Sequence, residues 1–182
     1  MSYYYVEANG KIITYNVRKY KVENTLRMTP QYADLPIQKT DRNIVEFEND
    51  FYFEDDPEYI SKKEVAEEER LQSLSMTRSD FFDSTIKAWG ADSNDLLPII
   101  QGILETLPIS DLEKKIAVNN YNNALNFYRK HALFTLLSGV PITIGEHTIT
   151  ISKEQWDSFF DRVSKRDPEA YKELLPTVEN QE

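Results

Sequence analysis

Start signals for helices recur along the chain, and they constrain its fold more than any other feature. Residues 110–113 (SDLE) and 152–155 (SKEQ) place Ser three residues before Glu or Gln, which is the spacing of a capping box. Residues 77–80 (TRSD) have the same spacing with Asp in the last position. Asp56 and Asp167 each precede a proline, a residue that the first helical position accepts. These signals predict a series of short helices after residue 55.

The apolar residues between the start signals predict where the helices run. We expect helices over about 56–74, from 77 to Gly90, within 94–107, from 110 through Phe127 and Tyr128, from Leu133 to Gly139, from 152, and briefly after 167. Ile60, Val65, Leu71 and Leu74 are expected to face inward from the first of them. The predicted core contains Phe81, Ile86, Trp89, Ile103, Leu104, Leu112, Ile116, Leu125, Phe134, Leu137, Trp156 and Phe160.

Two other segments carry the signal of a β-hairpin. Asn9-Gly10 interrupts a run rich in Tyr, Val and Ile, and this dipeptide supplies the two positive-φ residues of a type I′ turn. Residues 141–151 alternate Ile with polar residues around Gly145-Glu146, and a further strand is expected within 20–28. The predicted class is α+β, a mainly helical body with an N-terminal hairpin or small sheet and a second short hairpin. We expect two domains, residues 1–55 and 56–182.

Residues 46–59 (EFENDFYFEDDPEY) join these parts and combine seven carboxylates with five aromatic rings. One interpretation is a solvated linker, although linkers are poor in aromatic residues. The other is a surface on which carboxylates imitate nucleic-acid phosphates while rings anchor a partner. FYF also has strand propensity and is able to pair with an N-terminal strand. The predicted partner-binding residues are Glu46, Glu48, Asp50, Phe51, Tyr52, Phe53, Glu54, Asp55, Asp56 and Glu58.

Charge is distributed unevenly around this stretch. The chain has a net charge of −10, residues 1–45 carry +3 and residues 46–75 carry −8. Such a field disfavours binding to nucleic-acid phosphates or anionic lipid. A small basic cluster, Arg18, Lys19 and Lys21, leaves weak contact with nucleic acid as an expectation. The predicted partner is instead a protein with a basic groove.

Few residues suggest chemistry. The chain has no cysteine, and His131 and His147 lie outside any motif with ligand spacing. Residues 111–115 (DLEKK) resemble a nuclease pattern, but they follow a helix cap, where residues two apart do not share a face. We therefore expect no catalytic residue, no metal site, no cofactor and no enzyme activity. Since no run is apolar enough to span a bilayer and no secretory signal is visible, a cytoplasmic location is expected.

Three stretches resemble a family of small phage and prophage proteins that are often encoded near tail-fibre genes. They are residues 67–90 (EEERLQSLSMTRSDFFDSTIKAWG), 119–138 (NNYNNALNFYRKHALFTLLS) and 149–161 (ITISKEQWDSFFD). The resemblance covers about two thirds of the chain, from residue 56 to about 165. That family has no established catalytic residues, so the resemblance assigns none here. It implies a structural or assembly protein of the tail-fibre region, located in the virion.

The whole chain also resembles phage-encoded anti-CRISPR proteins that inhibit type II effector nucleases, in its size, acidity and lack of cofactor motifs. This resemblance implies direct binding to a guide-RNA-loaded effector, which holds nucleic acid in a positively charged channel. The sequence-based prediction is therefore an inhibitor acting in the host bacterial cytoplasm. The alternative is the tail-fibre-region protein, and a homo-oligomer is compatible with either.

Overall fold

The computed structural model describes residues 1–175, in which the chain divides into two compact units. Unit 1 comprises Met1–Glu67, and unit 2 begins at Glu68. The boundary falls inside a helix that spans Pro57–Ser73, later in the chain than the expected boundary after residue 55. The α+β class is confirmed, because helices and antiparallel strands both contribute to the fold.

Unit 1 is built on a five-stranded antiparallel sheet with the strand order β3-β1-β2-β5-β4. The strands are β1 (Tyr3–Ala8), β2 (Lys11–Asn16), β3 (Gln38–Thr40), β4 (Ile44–Phe47) and β5 (Asp50–Phe53). The predicted first hairpin is confirmed: Asn9 and Gly10 have φ of 53° and 77°, and they turn β1 into β2. The expected pairing of FYF with an N-terminal strand is also present, since Phe51 pairs with Ile12.

The two faces of this sheet pack differently. Helix α1 (Lys19–Arg27) covers one face, where Val22 and Leu26 pack with Val6 in a buried cluster. The strand expected within residues 20–28 is therefore wrong. Val22 and Leu26 are four residues apart, so a helix brings both to one side, whereas a strand would place the polar Asn24 on that side with them. Asn24 is exposed, as the helix requires.

The other face of the sheet is aromatic. Tyr5, Ile12 and Ile44 are buried there. Half-buried rings of the same face surround them: Tyr3, Tyr15, Phe51 and Phe53. Their centroids lie 5.2–5.9 Å apart in tilted and edge-to-face pairs, a spacing that aromatic pairs prefer.

Unit 2 is mainly helical, and the predicted start signals hold. The helices are α2 (Pro57–Ser73), which enters from unit 1, α3 (Arg78–Trp89), α4 (Ser93–Thr106), α5 (Asp111–Asn123), α6 (Ala132–Leu137) and α7 (Lys153–Ser164). Ser110 and Ser152 form complete capping boxes with Glu113 and Gln155, and Thr77 accepts a hydrogen bond from the Asp80 N–H. The expected helix after residue 167 is a 3-10 helix over Ala170–Leu174.

Strands close the helical unit. The second predicted hairpin is confirmed as β8 (Pro141–Ile144) and β9 (His147–Thr150). In addition, β6 (Ser75–Thr77) pairs with β7 (Asn126–Tyr128), which the sequence prediction placed inside a helix. That prediction is wrong because α5 ends at Asn123: pairing with β6 satisfies the β7 backbone and buries Phe127 completely.

The core of unit 2 confirms half of the predicted core residues. Six are buried: Phe81, Leu104, Phe134, Leu137, Trp156 and Phe160. Trp89 and Ile103 are half-buried and pack against that core. Four are exposed, and so are two residues expected to face inward from α2: Ile86, Leu112, Ile116, Leu125, Ile60 and Val65. The prediction fails there because these helices are covered on one narrow stripe only, so apolar residues beyond it face solvent.

One ion pair lies inside unit 2. The side chain of Arg129 is 2% exposed, and its Nε donates to Oδ1 of Asp157 at 2.6 Å. Lys153 donates to the other oxygen of Asp157 at 3.3 Å and to Glu68 at 2.8 Å. The network ties the first residues of unit 2 to α7. Among residues 1–175, no helix is long and apolar enough to cross a membrane.

Candidate protein-binding hairpin

Most of the acidic aromatic stretch folds as the hairpin of β4 and β5. Its register pairs Ile44 with Phe53 and Phe47 with Asp50, and Glu48 and Asn49 form the turn between them. Both turn residues have positive φ, 52° and 68°. The left-handed region costs an ordinary residue about 1–2 kcal/mol, and Asn tolerates it better than Glu. The hairpin therefore presents a glutamate at its tip despite a conformational cost.

The rings of the stretch pack within unit 1. Tyr52 is buried, and Phe51 and Phe53 belong to the aromatic face of the sheet. On the other face, Tyr59 stacks on Tyr52 at 6.0 Å and meets Phe47 edge to face at 5.9 Å. The three rings predicted to anchor a partner thus already contribute to the packing of this unit.

The carboxylates separate into two groups, and the first is held by the fold. We call Glu54, Asp55, Asp56 and Glu58 the base carboxylates, because they follow β5 at the open end of the hairpin. Asp55 accepts two hydrogen bonds from Arg42, at 2.6 and 3.0 Å, and this contact lowers the pKa of Asp55. Asp56 accepts from the Glu58 N–H at 2.8 Å, which caps α2 as predicted.

The other two base carboxylates also have partners. Glu54 accepts from the Asn43 amide at 2.8 Å. Glu58 lies 2.8 Å from the ammonium of Lys62, which also donates to the Tyr52 hydroxyl at 2.7 Å. These contacts, Glu58 first, raise the pKa of Lys62. The base carboxylates therefore stabilise the connection of β5 to α2: all four are hydrogen-bonded or ion-paired, two of them, Asp55 and Glu58, to a cation.

The second group lies at the other end of the hairpin. We call Glu46, Glu48 and Asp50 the tip carboxylates. Glu46 and Glu48 are exposed, and neither carboxylate makes a hydrogen bond or ion pair within residues 1–175. Asp50 is half-buried and lies 3.7 Å from the Lys11 ammonium, a long contact for an ion pair. The closed end of the hairpin therefore concentrates uncompensated negative charge, with Glu46 in β4 and Glu48 in the turn.

Sequence reasoning missed the cations that distinguish the two groups. These three cations lie outside residues 46–59: Lys11 and Arg42 reach the stretch through the sheet, whereas Lys62 meets Glu58 one turn earlier in α2. Arg42 also stacks on Phe53, with its Cζ 3.8 Å from the ring centroid. One signal for the turn is present, because Asn49 lies between two segments that favour strands. However, the pair Glu48-Asn49 is not a recognised turn dipeptide, so the sequence marks this turn only weakly.

The basic cluster lies at the start of α1. Arg18, Lys19 and Lys21 are exposed, Arg18 donates to the Tyr20 hydroxyl at 3.2 Å, and Lys19 lies 3.7 Å from Glu23. These contacts are local to the helix and leave Lys21 without an ion pair among the described residues. The cluster is accessible, but it is small beside the charge of the rest of the chain.

The surroundings of the hairpin are suited to electrostatic contact. A depression of about 180 Å³ borders it, lined in part by Glu7, Lys11 and Asp50, which is smaller than a typical pocket for a small molecule. No group of His, Asp or Glu in residues 1–175 is arranged to hold a metal ion. Throughout residues 1–175, every carboxyl group whose pKa clearly departs from the ordinary value has a lowered pKa, which keeps the group ionised.

Comparisons with protein-family models, with curated proteins and with solved structures find no match to this chain.

Proposed function

We propose that the chain is a phage-encoded inhibitor that docks the tip carboxylates into a basic groove of a type II CRISPR effector nuclease. The observation that carries the proposal is the separation of the hairpin's charge. Each base carboxylate has a hydrogen-bond or ion-pair partner within unit 1, whereas Glu46 and Glu48 are exposed and have none among the described residues. These two uncompensated carboxylates, one in β4 and one in the turn, are suited to form ion pairs with arginine and lysine side chains of a partner.

The hairpin geometry supports this role in a second way. A rigid turn loses little conformational entropy on binding, and preorganisation raises affinity without new contacts. The flanking strand β5 is paired on both sides, and its rings fix it to both faces of the sheet. The tip is therefore held in place by packing that is already formed in the free protein.

The choice of effector follows from the chemistry of the groove and from the resemblance of the chain. RNA-guided effectors keep a positively charged channel for the heteroduplex and read the PAM through arginine side chains. A carboxylate pair occupying such a site competes with phosphate or base contacts. The proposed mechanism is direct obstruction, and no bond is made or broken.

The proposal is tested by reversing the charge of the tip. Glu46→Lys/Glu48→Lys should weaken binding to a guide-loaded type II effector by about 2 kcal/mol or roughly 30-fold, because like charges then meet across the interface. Affinity is measured by calorimetry at two salt concentrations, and folding is checked by circular dichroism.

The matched control is Glu69→Lys/Glu146→Lys, which changes net charge equally at two exposed acids of unit 2. It should leave affinity within about twofold, because neither acid belongs to the hairpin that the proposal places in the interface. Equal weakening by both variants would show that only net charge matters. Unchanged affinity in the folded tip variant would remove the hairpin from the interface.

A second candidate, a structural or assembly protein of the tail-fibre region, is favoured by one observation. Leu112, Ile116 and Leu125 of unit 2 are exposed, at 66%, 45% and 85%, and exposed apolar side chains are typical of surfaces that meet another protein. This candidate predicts that the chain co-purifies with tail components and leaves effector cleavage of target DNA unchanged. Failure of the wild-type chain to bind any guide-loaded effector, together with such co-purification, would favour it.

A further inference from the structure

Side-chain amides crowd the outward side of α5 and the segment after it. Residues 119–126 contain five asparagines, and Gln101 of α4 lies across from them. With 3.6 residues per turn, Asn119, Asn122 and Asn123 fall on the side of α5 opposite the buried Ala117 and Tyr121. The amides therefore form a surface of unit 2 that its core does not use.

This surface carries two shallow depressions. One depression of about 580 Å³ lies between α4 and α5 and is lined by Gln101, Asn119, Asn122 and Asn123 among others. A second, of about 400 Å³, lies beside β7 and is lined by Asn119, Asn123, Asn126, Tyr128 and His131 among others. Because Asn119 and Asn123 line both, the two depressions adjoin, and we call them together the amide groove.

Most of these amides have unused hydrogen-bonding capacity. Asn123 donates to Asn119 at 2.6 Å. The side chains of Gln101, Asn122 and Asn126 make no hydrogen bond to any other residue in the described part of the chain. Each amide has two N–H donors and a carbonyl acceptor. The groove therefore offers donors and acceptors side by side.

The groove carries little net charge, in contrast to the hairpin tip. Lys114 donates to Glu105 at 2.9 Å on its wall, which leaves Lys115 as the one cation of the lining without an ion pair among the described residues. Burial, and then the charge of Lys130, lower the pKa of His131, so its ring is neutral at neutral pH. Lys130, whose ammonium lies 5.8 Å from the centroid of the Tyr128 ring, is a second lysine at this end of the groove, so a strongly anionic ligand would find two separate lysines and no cluster of cations.

One end of the groove presents rings. Tyr128 and His131 lie 5.2 Å apart, and Tyr128 is 37% exposed. Pyranose sugars have an apolar C–H face that packs on such rings and hydroxyl groups that donate and accept at once. An extended peptide repeats every two residues, about 6.6 Å, and would be matched by amides at that spacing. Asn119, Asn122 and Asn123 are instead separated along the helix axis by about 4.5 and 1.5 Å.

We propose that the amide groove, formed by Gln101, Asn119, Asn122, Asn123 and Asn126 beside the Tyr128 ring, binds a neutral oligosaccharide. The amides hydrogen-bond the hydroxyl groups, and Tyr128 packs against one sugar ring. The site lies wholly in unit 2, and it rests on neither candidate function of the chain.

The test uses the full chain labelled with ¹⁵N and four probes: the hexasaccharides of α-1,4-glucose, β-1,4-glucose, β-1,4-N-acetylglucosamine and α-1,6-mannose. Titration to millimolar concentration should shift the side-chain NH₂ signals of the groove amides with at least one probe. Asn119→Ala/Asn122→Ala should weaken that binding about tenfold, as expected for two lost hydrogen bonds. Alanine favours a helix, so these substitutions preserve α5.

The control variant is Asn24→Ala, at an exposed asparagine of α1, which should leave the titration unchanged. Absence of shifts with all four probes would overturn the proposal. Equal binding by the double variant would overturn it as well. Shifts of the same signals by an uncharged glycine-serine peptide, with none from the sugars, would identify a peptide groove instead and contradict the proposal.

Discussion

Most aromatic rings of unit 2 are buried, whereas many rings of unit 1 are partly exposed to solvent. Unit 2 has six fully buried rings on four elements: Tyr121, Phe127, Phe134, Trp156, Phe159 and Phe160. Unit 1 has two small buried clusters of three residues each, and its half-buried rings border them. Burial of apolar area is the main stabilising term, so unit 2 is the more stable body and unit 1 relies on ring contacts at its surface.

The difference in ring burial between the two units suggests a reason for the negative charge on the β4–β5 hairpin of unit 1. A sheet with half-exposed rings risks association with other exposed apolar surfaces. Carboxylates at the tip and base of the β4–β5 hairpin counteract this, because like-charged copies repel. The same charge makes the tip a specific surface for a basic partner.

The largest expected effect is in the core of unit 2. Phe160→Ala removes a ring that is fully buried and lies 4.8 Å from Phe134. The free energy of unfolding should fall by about 3–5 kcal/mol. Urea denaturation monitored by circular dichroism measures it, and a loss below about 1 kcal/mol would place Phe160 outside the core.

A slightly smaller effect is expected at the buried ion pair. Arg129→Met leaves Asp157 with Lys153 as its remaining cation, so unfolding should become easier by about 2–3 kcal/mol. The double variant Arg129→Met/Asp157→Leu should recover most of this loss, since no buried charge is then unpaired. If the double variant is as unstable as the single one, packing rather than charge dominates at this site.

In unit 1 the same kind of truncation should cost less. Phe51→Ala removes a half-buried ring from the aromatic face and should destabilise unit 1 by about 1–2 kcal/mol. Hydrogen exchange should show faster opening of β2 and β5, with protection of α7 unchanged. Equal loss of protection in α7 would mean that the two units unfold together.

The smallest effect is expected at an exposed apolar residue that the sequence assigned to the core. Leu125 is 85% exposed, so Leu125→Ser should change the free energy of unfolding by no more than about 0.5 kcal/mol. Thermal unfolding measures this. A loss resembling that of Phe160→Ala would contradict the burial described for the segment between α5 and β7.

Local sequence signals predicted the framework of the fold well. Capping boxes at Ser110 and Ser152 and the Asn9-Gly10 turn act within a few residues, so their outcome needs no tertiary information. The failures have a common origin in long-range contacts. Phe127 is in a strand because Met76 pairs with it, and Leu112 is exposed because no element within residues 1–175 covers its side of α5.

The sequence predicted the candidate site only as one continuous stretch of residues, without its internal division. Composition identified residues 46–59, but the division into tip and base carboxylates depends on contacts that the stretch alone does not contain: Lys11 and Arg42 approach through the sheet, and Lys62 follows Glu58 by one turn of α2. The amide groove was not detected either. Five asparagines in residues 119–126 become a surface only once the buried side of α5 is known.

The most direct test of the account compares the two groups of carboxylates in one measurement. The association rate constant for a guide-loaded type II effector is measured at low and physiological salt for Glu46→Gln/Glu48→Gln at the tip and Glu54→Gln/Asp55→Asn at the base. Both variants lose the same charge. The account predicts that the tip variant associates about three- to tenfold more slowly and with a weaker salt dependence, because its charges steer the encounter. The base variant should associate at the wild-type rate while unit 1 unfolds more easily. Equal slowing by both variants, or slowing by the base variant alone, would contradict the assignment of binding to the hairpin tip.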